Sequence, residues 1–170
     1  EGERRHAGAI VQHDDRHRGL TQVHPRTGSI RNYTLVPREL YGSRGRAAEN
    51  EFHLYRDRSG VIWICGFAKH PVRFDPASLR LGHHVLGPDH QQGPAYAPAD
   101  VAADSNGALW VATLNRGLLR VDLTSGRVTT YRHDPADPRS LHSNEIRGLY
   151  LDADGVLWIG TVSGLSRFDR

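Results

Sequence analysis

The sequence predicts an all-β fold of repeated four-stranded sheets arranged as propeller blades, and three observations carry that prediction. Trp63, Trp110 and Trp158 stand 47 and 48 residues apart (110 − 63 and 158 − 110), each inside a variant of one phrase: DRSGVIWICGF at 57–67, DSNGALWVATL at 104–114 and DADGVLWIGTV at 152–162. A second phrase keeps the same step, with PVRFD, GLLRVD and GLSRFD ending on Asp75, Asp122 and Asp169, 47 apart each time (122 − 75 and 169 − 122). Helical periodicity is absent, while short alternating strands and turn signals recur within each unit. A period of roughly 40 to 50 residues with that content is the signature of a β-propeller.

The elements follow in chain order. GLTQVHPRTG at 19–28 matches GLLRVDLTSG at 117–126 at an offset of 98 (117 − 19), which places one earlier, degraded unit at the start. Its first strand falls around residues 8–11. Gln12 comes near the position expected for Trp, and His24 stands where later units have Asp. In each following unit a D-x-x-G turn joins strands one and two: Asp57 to Gly60, Asp104 to Gly107 and Asp152 to Gly155. Asn106-Gly107 and Asp154-Gly155 are strong hairpin signals because both members of each pair accept positive φ at low cost. A calcium-loop reading of Asp104/Asn106 and Asp152/Asp154 is weaker, since the later glutamate of such a loop is missing.

In the last unit strand one spans 145–151, strand two 156–161 and strand three 164–168, and residues 127–132 supply the fourth type in the unit before. The alternation of apolar with small residues in the tryptophan phrase suits a strand covered on both faces. The tryptophans are therefore read as core. Burying one removes roughly 150 to 250 Å² from water, an upper-bound stabilisation of about 4 to 6 kcal/mol. Fourteen strands are expected, about three and a half blades, in units of approximately 1–48, 49–96, 97–143 and 144–170. A ring of four to eight blades needs more chain than 170 residues, so the segment reads as part of a ring, taken as seven-bladed.

Composition narrows the partners. Arg supplies 21 of the 22 basic residues and Lys69 the other, the formal charge is +3, and acids interleave with bases throughout. No basic stripe of the kind nucleic acid requires is present. Cys65, the single cysteine, aligns with Ala112 and Gly160 and is expected at a small buried strand position. No apolar run approaches the roughly 20 residues of a membrane helix, and Glu1 opens no signal peptide. His13, Asp15 and His17, and His83, His84 and His90, are the histidine clusters closest to a metal set, but neither has the paired motif of a zinc site, and no metal or cofactor is expected.

Residues 128–169, VTTYRHDPADPRSLHSNEIRGLYLDADGVLWIGTVSGLSRFD, resemble the two-component regulator propeller repeat, through a DP…SL.SN.I linker followed by D..G.LWIGT..GL.RFD. Residues 83–98 depart from the linker pattern. The resemblance implies a sensory role, because such repeats form the extracytoplasmic, periplasmic region of hybrid histidine kinases and of some diguanylate cyclase receptors. There, two seven-bladed rings commonly precede an immunoglobulin-like domain, a membrane helix and the signalling output. It implies a membrane-anchored, homodimeric parent in which this segment is input, with no catalytic residues of its own.

Strand parity locates a candidate site. The loops between strands two and three, and the linkers into strand one, open at one end of the blades, opposite the D-x-x-G and T-S-G turns. That end collects Lys69, His70, Asn115, Arg116, Val162 and Ser163, with Glu49, Asn50, Asn144 and Glu145 from the linkers. His53 and Arg147 are expected to point into the central channel. Polar groups converging on a concave mouth suit a small ligand such as a saccharide. Two other readings stand beside it: a carbohydrate-active hydrolase or lyase using two of Glu49, Glu51, Asp100 and Glu145, and a protein-interaction platform. Two copies of fourteen strands would also make twenty-eight, enough for seven four-stranded blades.

Overall fold

The computed structural model describes residues 9–14, 17–24, 26–34, 53–65, 70–83 and 98–168. These residues form fourteen strands in four antiparallel sheets, with no helix among them. The first sheet runs β1 (Ala9–Asp14), β2 (His17–Val23), β3 (Ile30–Thr34), and the second β4 (His53–Arg56), β5 (Ile62–Cys65), β6 (Val72–Asp75), β7 (Arg80–His83). The third is β8 (Pro98–Ala103), β9 (Ala108–Thr113), β10 (Leu118–Asp122), β11 (Val128–Tyr131), and the fourth β12 (Ile146–Leu151), β13 (Leu157–Thr161), β14 (Gly164–Phe168). Every sheet is a meander in chain order, as propeller blades are.

The chain divides into two compact units, Glu1–Tyr41 and Gly42–Arg170. In the first, the turn after β2 closes as it does in the later blades. His24 N–H donates to Ser29 O and Gly28 N–H to His24 O, both at 2.9 Å, and His24 Nδ1 accepts the Thr27 amide at 3.3 Å where an aspartate oxygen serves elsewhere. The pairing corrects one expectation. Ala9, not Gln12, lies opposite Gln22, the site matching the arginine that faces each tryptophan, because the β1–β2 ladder runs on to Asp14 opposite His17 and puts 13 residues (22 − 9) between the two positions where the third sheet has 10 (120 − 110).

The second unit stacks its three sheets face to face. Val61, Trp63 and Cys65 of the second sheet pack with Val101, Leu109, Val111, Leu119 and Val121 of the third. The opposite face of the third sheet presents Ala102, Trp110, Ala112 and Leu118 to Leu141, Ile146, Leu157 and Ile159 of the fourth. All six residues of β9 are buried, which explains a strand with no polar face. Cys65 is buried in the first of these cores, as its small-residue alignment implied, and burial pushes its thiol well up, with the Asp100 charge adding to the effect.

Each tryptophan is held the same way. Asp57, Asp104 and Asp152 accept the indole N–H of Trp63, Trp110 and Trp158 at 2.9, 3.0 and 2.9 Å on Oδ2. Their Oδ1 atoms accept the amides two and four residues on: Ser59 and Val61, Asn106 and Ala108, Asp154 and Val156. One carboxylate therefore closes the turn and orients the ring. Gly60, Gly107 and Gly155 complete the turns at φ of 90°, 78° and 83°.

Trp63 and Trp110 are buried, whereas Trp158 is half-buried. Tyr150 and Leu165, beside it on the fourth sheet, are 50% and 59% exposed, while their register equivalents Ala102 and Leu118 are 1% and 0% exposed under the fourth sheet. The arginine of the second phrase also finds a role. Arg120 lies over the Trp110 ring at 5.7 Å and Arg167 over Trp158 at 5.9 Å, each directly across the strand pair.

Candidate functional site

The linker into β12 builds one end of the second unit. Asp134 Oδ1 accepts the Ala136 amide, Asp137 Oδ1 accepts the Arg139 amide, and Ser140 Oγ both donates to Asp134 O and accepts the Asp134 amide, which folds the DPADPRS stretch into consecutive tight turns. Leu141 then enters the core between the third and fourth sheets. His142 N–H and Nδ1 both meet Ser166 Oγ, at 3.3 and 3.0 Å.

Two backbone bonds fasten this linker to the neighbouring loops. Gly117 N–H donates to Asn144 O at 2.9 Å, and Val162 N–H to Glu145 O at 3.2 Å. The loop after β9, the loop after β13 and the linker therefore lie at one end, as strand parity required. At the opposite end Leu123 N–H donates to Gly107 O at 3.0 Å, joining the two families of turns. Thr113 and Thr161 close the two loops alike, donating to Gly117 O and Gly164 O at 2.7 and 2.8 Å while accepting the Arg116 and Ser163 amides.

Gly117 is demanded by both conformation and space. Its φ is 80°, and a Cβ there would lie 2.2 Å from Tyr131 O and 3.2 Å from Asn144 Oδ1. Asn144 Oδ1 also accepts the His133 amide at 2.8 Å, so this side chain and its carbonyl together lock three segments. Asn144 belongs to the frame of the mouth.

The remaining expected residues are placed as follows. Asn115 is exposed and Arg116 half-buried on the loop after β9, while Val162 and Ser163 are exposed on the loop after β13. Glu145 and Arg147 form an ion pair with side chains 38% and 61% exposed. Arg147 occupies a bulge, for the pairing of β12 with β13 shifts between Ile146 and Gly148, and β8 carries the same irregularity between Pro98 and Asp100. Such bulges re-aim a side chain out of the ladder. His70 is half-buried, whereas Lys69, Glu49, Asn50 and Glu51 lie outside the described residues.

His53, Asp100 and Gly148 share one register position, opposite Cys65, Ala112 and Gly160, on β4, β8 and β12, the first strands of three successive sheets. Asp100 is the residue sequence reasoning left among unexplained acids. Burial raises its pKa above the ordinary aspartate value, against the lowering effect of the Leu149 and Val101 amides and of His53. Its signal in the sequence was the lack of a turn or strand-end role. Among the described residues no group of three or more His, Cys, Asp or Glu is placed to hold a metal ion; Asp15, His84 and His90 lie outside them.

Residues 140–163 match the family model described as two component regulator propeller. That match spans 24 of the 170 residues (163 − 140 + 1). The match covers the core-inserting Leu141, the framing Asn144 and the Asp152–Trp158 clamp. No curated protein matches the chain. Among solved structures it is similar to the extracellular domain of the putative hybrid two component system BT4673 from B. thetaiotaomicron, at 20% identity and a TM-score of 0.65, covering 88% of this chain and 18% of that one. For the corresponding domain of BT3049 from the same organism the values are 19%, 0.63, 99% and 24%. Virginiamycin B lyase from Staphylococcus aureus is also similar, at 17% identity and a TM-score of 0.56, with coverage of 89% and 48%. These likenesses establish the propeller fold. The chain spans less than a quarter of the two sensor domains.

Proposed function

We propose that the chain is a non-catalytic, ligand-sensing propeller segment in the extracytoplasmic part of a two-component or cyclic-di-GMP signalling receptor. The observation that carries this reading is the propeller repeat at 140–163, whose linker also frames the candidate mouth. Similar structures that are extracellular domains of putative hybrid two component systems support the extracytoplasmic side; the periplasm as that side and a membrane-anchored, dimeric parent are part of the same proposal. Of the acids offered for glycosidic chemistry, the two among the described residues are otherwise engaged: both Asp100 oxygens accept backbone amides, and Glu145 is paired with Arg147.

The ligand is a small polar molecule, a saccharide or another nutrient, held at the mouth by Arg116, Arg147, Asn115 and Glu145 with His53 deeper in the channel. Asn144 frames the site. Calorimetry of the chain against a panel of oligosaccharides tests this, with Arg116→Ala/Arg147→Ala as the control. Binding lost in the double variant at an unchanged melting temperature supports the mouth, and wild-type affinity in that variant dismisses it.

A further inference from the structure

We infer that Asp100 is a charge-dependent latch between the first strands of two neighbouring blades, β8 and β12. Its Oδ1 accepts the Val101 amide at 2.8 Å and its Oδ2 the Leu149 amide, 49 residues away, also at 2.8 Å. Val101 and Leu149 follow the two bulges at matching places in successive repeats. Each lies on a first strand, which is an edge of its sheet and has no partner strand on its far side. An edge strand leaves alternate N–H groups unpaired. A single carboxylate thus serves two neighbouring edges.

Among the described residues the repeat supplies this bond once. Gly148, the register equivalent of Asp100 on β12, brings no side chain, and a Cβ there would come 3.8 Å from Asp100 Oδ2. On the other side stands His53 of β4, whose charge favours the carboxylate, while Cys65 of β5 lies close enough for its thiol to feel the Asp100 charge. The preceding junction is tied differently, by Tyr55 Oη donating to Ala103 O at 3.1 Å near the turn end. At the mouth end, the β8–β12 junction is held by an ionisable group.

The sign of the effect follows from linkage. The folded carboxyl of Asp100 is raised above its unfolded value, chiefly by burial, so the folded state binds the proton more readily. Its contribution to stability is then fully present below the unfolded value and is lost as pH rises through the folded one. Deprotonation loads the junction with a desolvated charge, and a proton or a cationic neighbour relieves it.

The test uses the full chain and reads the Leu149 amide by hydrogen exchange, with denaturant midpoints taken between about pH 4 and pH 7. In Asp100→Ala the Leu149 amide is expected to exchange about tenfold faster. Asp100→Asn removes the titrating group and keeps one acceptor oxygen for the two amides, so Leu149 exchange is expected between those of wild type and Asp100→Ala, and the wild-type midpoint should gain on that of the variant as pH falls. Unchanged Leu149 exchange in Asp100→Ala, or parallel midpoint profiles for wild type and Asp100→Asn, would overturn the latch. Neither readout depends on a ligand, so the outcome is separate from that of the sensing proposal.

Discussion

The indole N–H of Trp110 donates to Asp104 Oδ2 at 3.0 Å, and both residues are buried. The same carboxylate takes the Asn106 and Ala108 amides, so turn closure and ring orientation share one acceptor. Charge-assisted bonds to a buried acceptor are among the stronger ones. Asp104→Ala is expected to cost about 3 kcal/mol in urea denaturation, with a smaller loss for Asp152→Ala at the half-buried equivalent. Equal losses at the two positions would show that burial does not set the strength of the clamp.

Trp110 also packs between Tyr131 and Phe168, with ring centroids 5.9 and 5.1 Å away. Trp110→Ala should therefore cost about 3 to 5 kcal/mol. Trp158→Ala, at a half-buried site, should cost less. An unchanged denaturation midpoint for Trp110→Ala would contradict its place between the third and fourth sheets.

Leu79 has a φ of 57° in the hairpin where Gly28 and Gly126 stand in the other repeats, at 68° and 73°. Left-handed backbone is strained for a residue with a Cβ, and at 56% exposure the side chain recovers little by packing. Leu79→Gly is expected to stabilise the chain by about 0.5 to 1 kcal/mol, after the greater entropy glycine loses on folding. A lower melting temperature for this variant would refute that strain.

Gly117 and Gly126 share a positive φ but differ in surroundings, since a Cβ at Gly126 meets nothing within 4 Å. Gly126→Ala should cost about 1 to 2 kcal/mol, and Gly117→Ala about 2 to 4 kcal/mol because the Tyr131 carbonyl must move. Chemical denaturation of the pair separates conformational from steric cost. Similar values would mean that Tyr131 yields without penalty.

Acid should weaken the turn end of the blades. Asp152 lies below the ordinary aspartate range chiefly through the Trp158 indole, Asp122 through the Ser125 amide, and Asp75 through the Ser78 hydroxyl. A depressed folded value contributes stability above the unfolded value that is lost as pH falls through the folded one. Carboxyl NMR titration of Trp158→Phe should show Asp152 moving up while Asp122 stays. An unmoved Asp152 would assign its shift to the turn amides instead.

The tandem phrase made the blades legible because strand alternation, D-x-x-G turns and mid-strand tryptophans are properties of short segments. The mouth was legible as far as parity reaches, which places the loops around Asn115, Arg116 and Glu145 at one end. It could not say that Asn144 is spent on Gly117 and His133, nor that Glu145 neutralises Arg147 across a bulge, since those depend on where loops from different strands meet.

By itself the sequence determined the strand count and order, the turn chemistry and the buried places of Trp63, Trp110 and Cys65, because hydrophobic period and backbone preference act over a few neighbouring positions. Tertiary structure alone decided that Ala9 takes the tryptophan position, that Trp158 is half open while Trp110 is closed, and that Asp100 reaches Leu149. Those outcomes turn on hairpin length and on which sheet stands next to which. Packing distance, not local pattern, sets them.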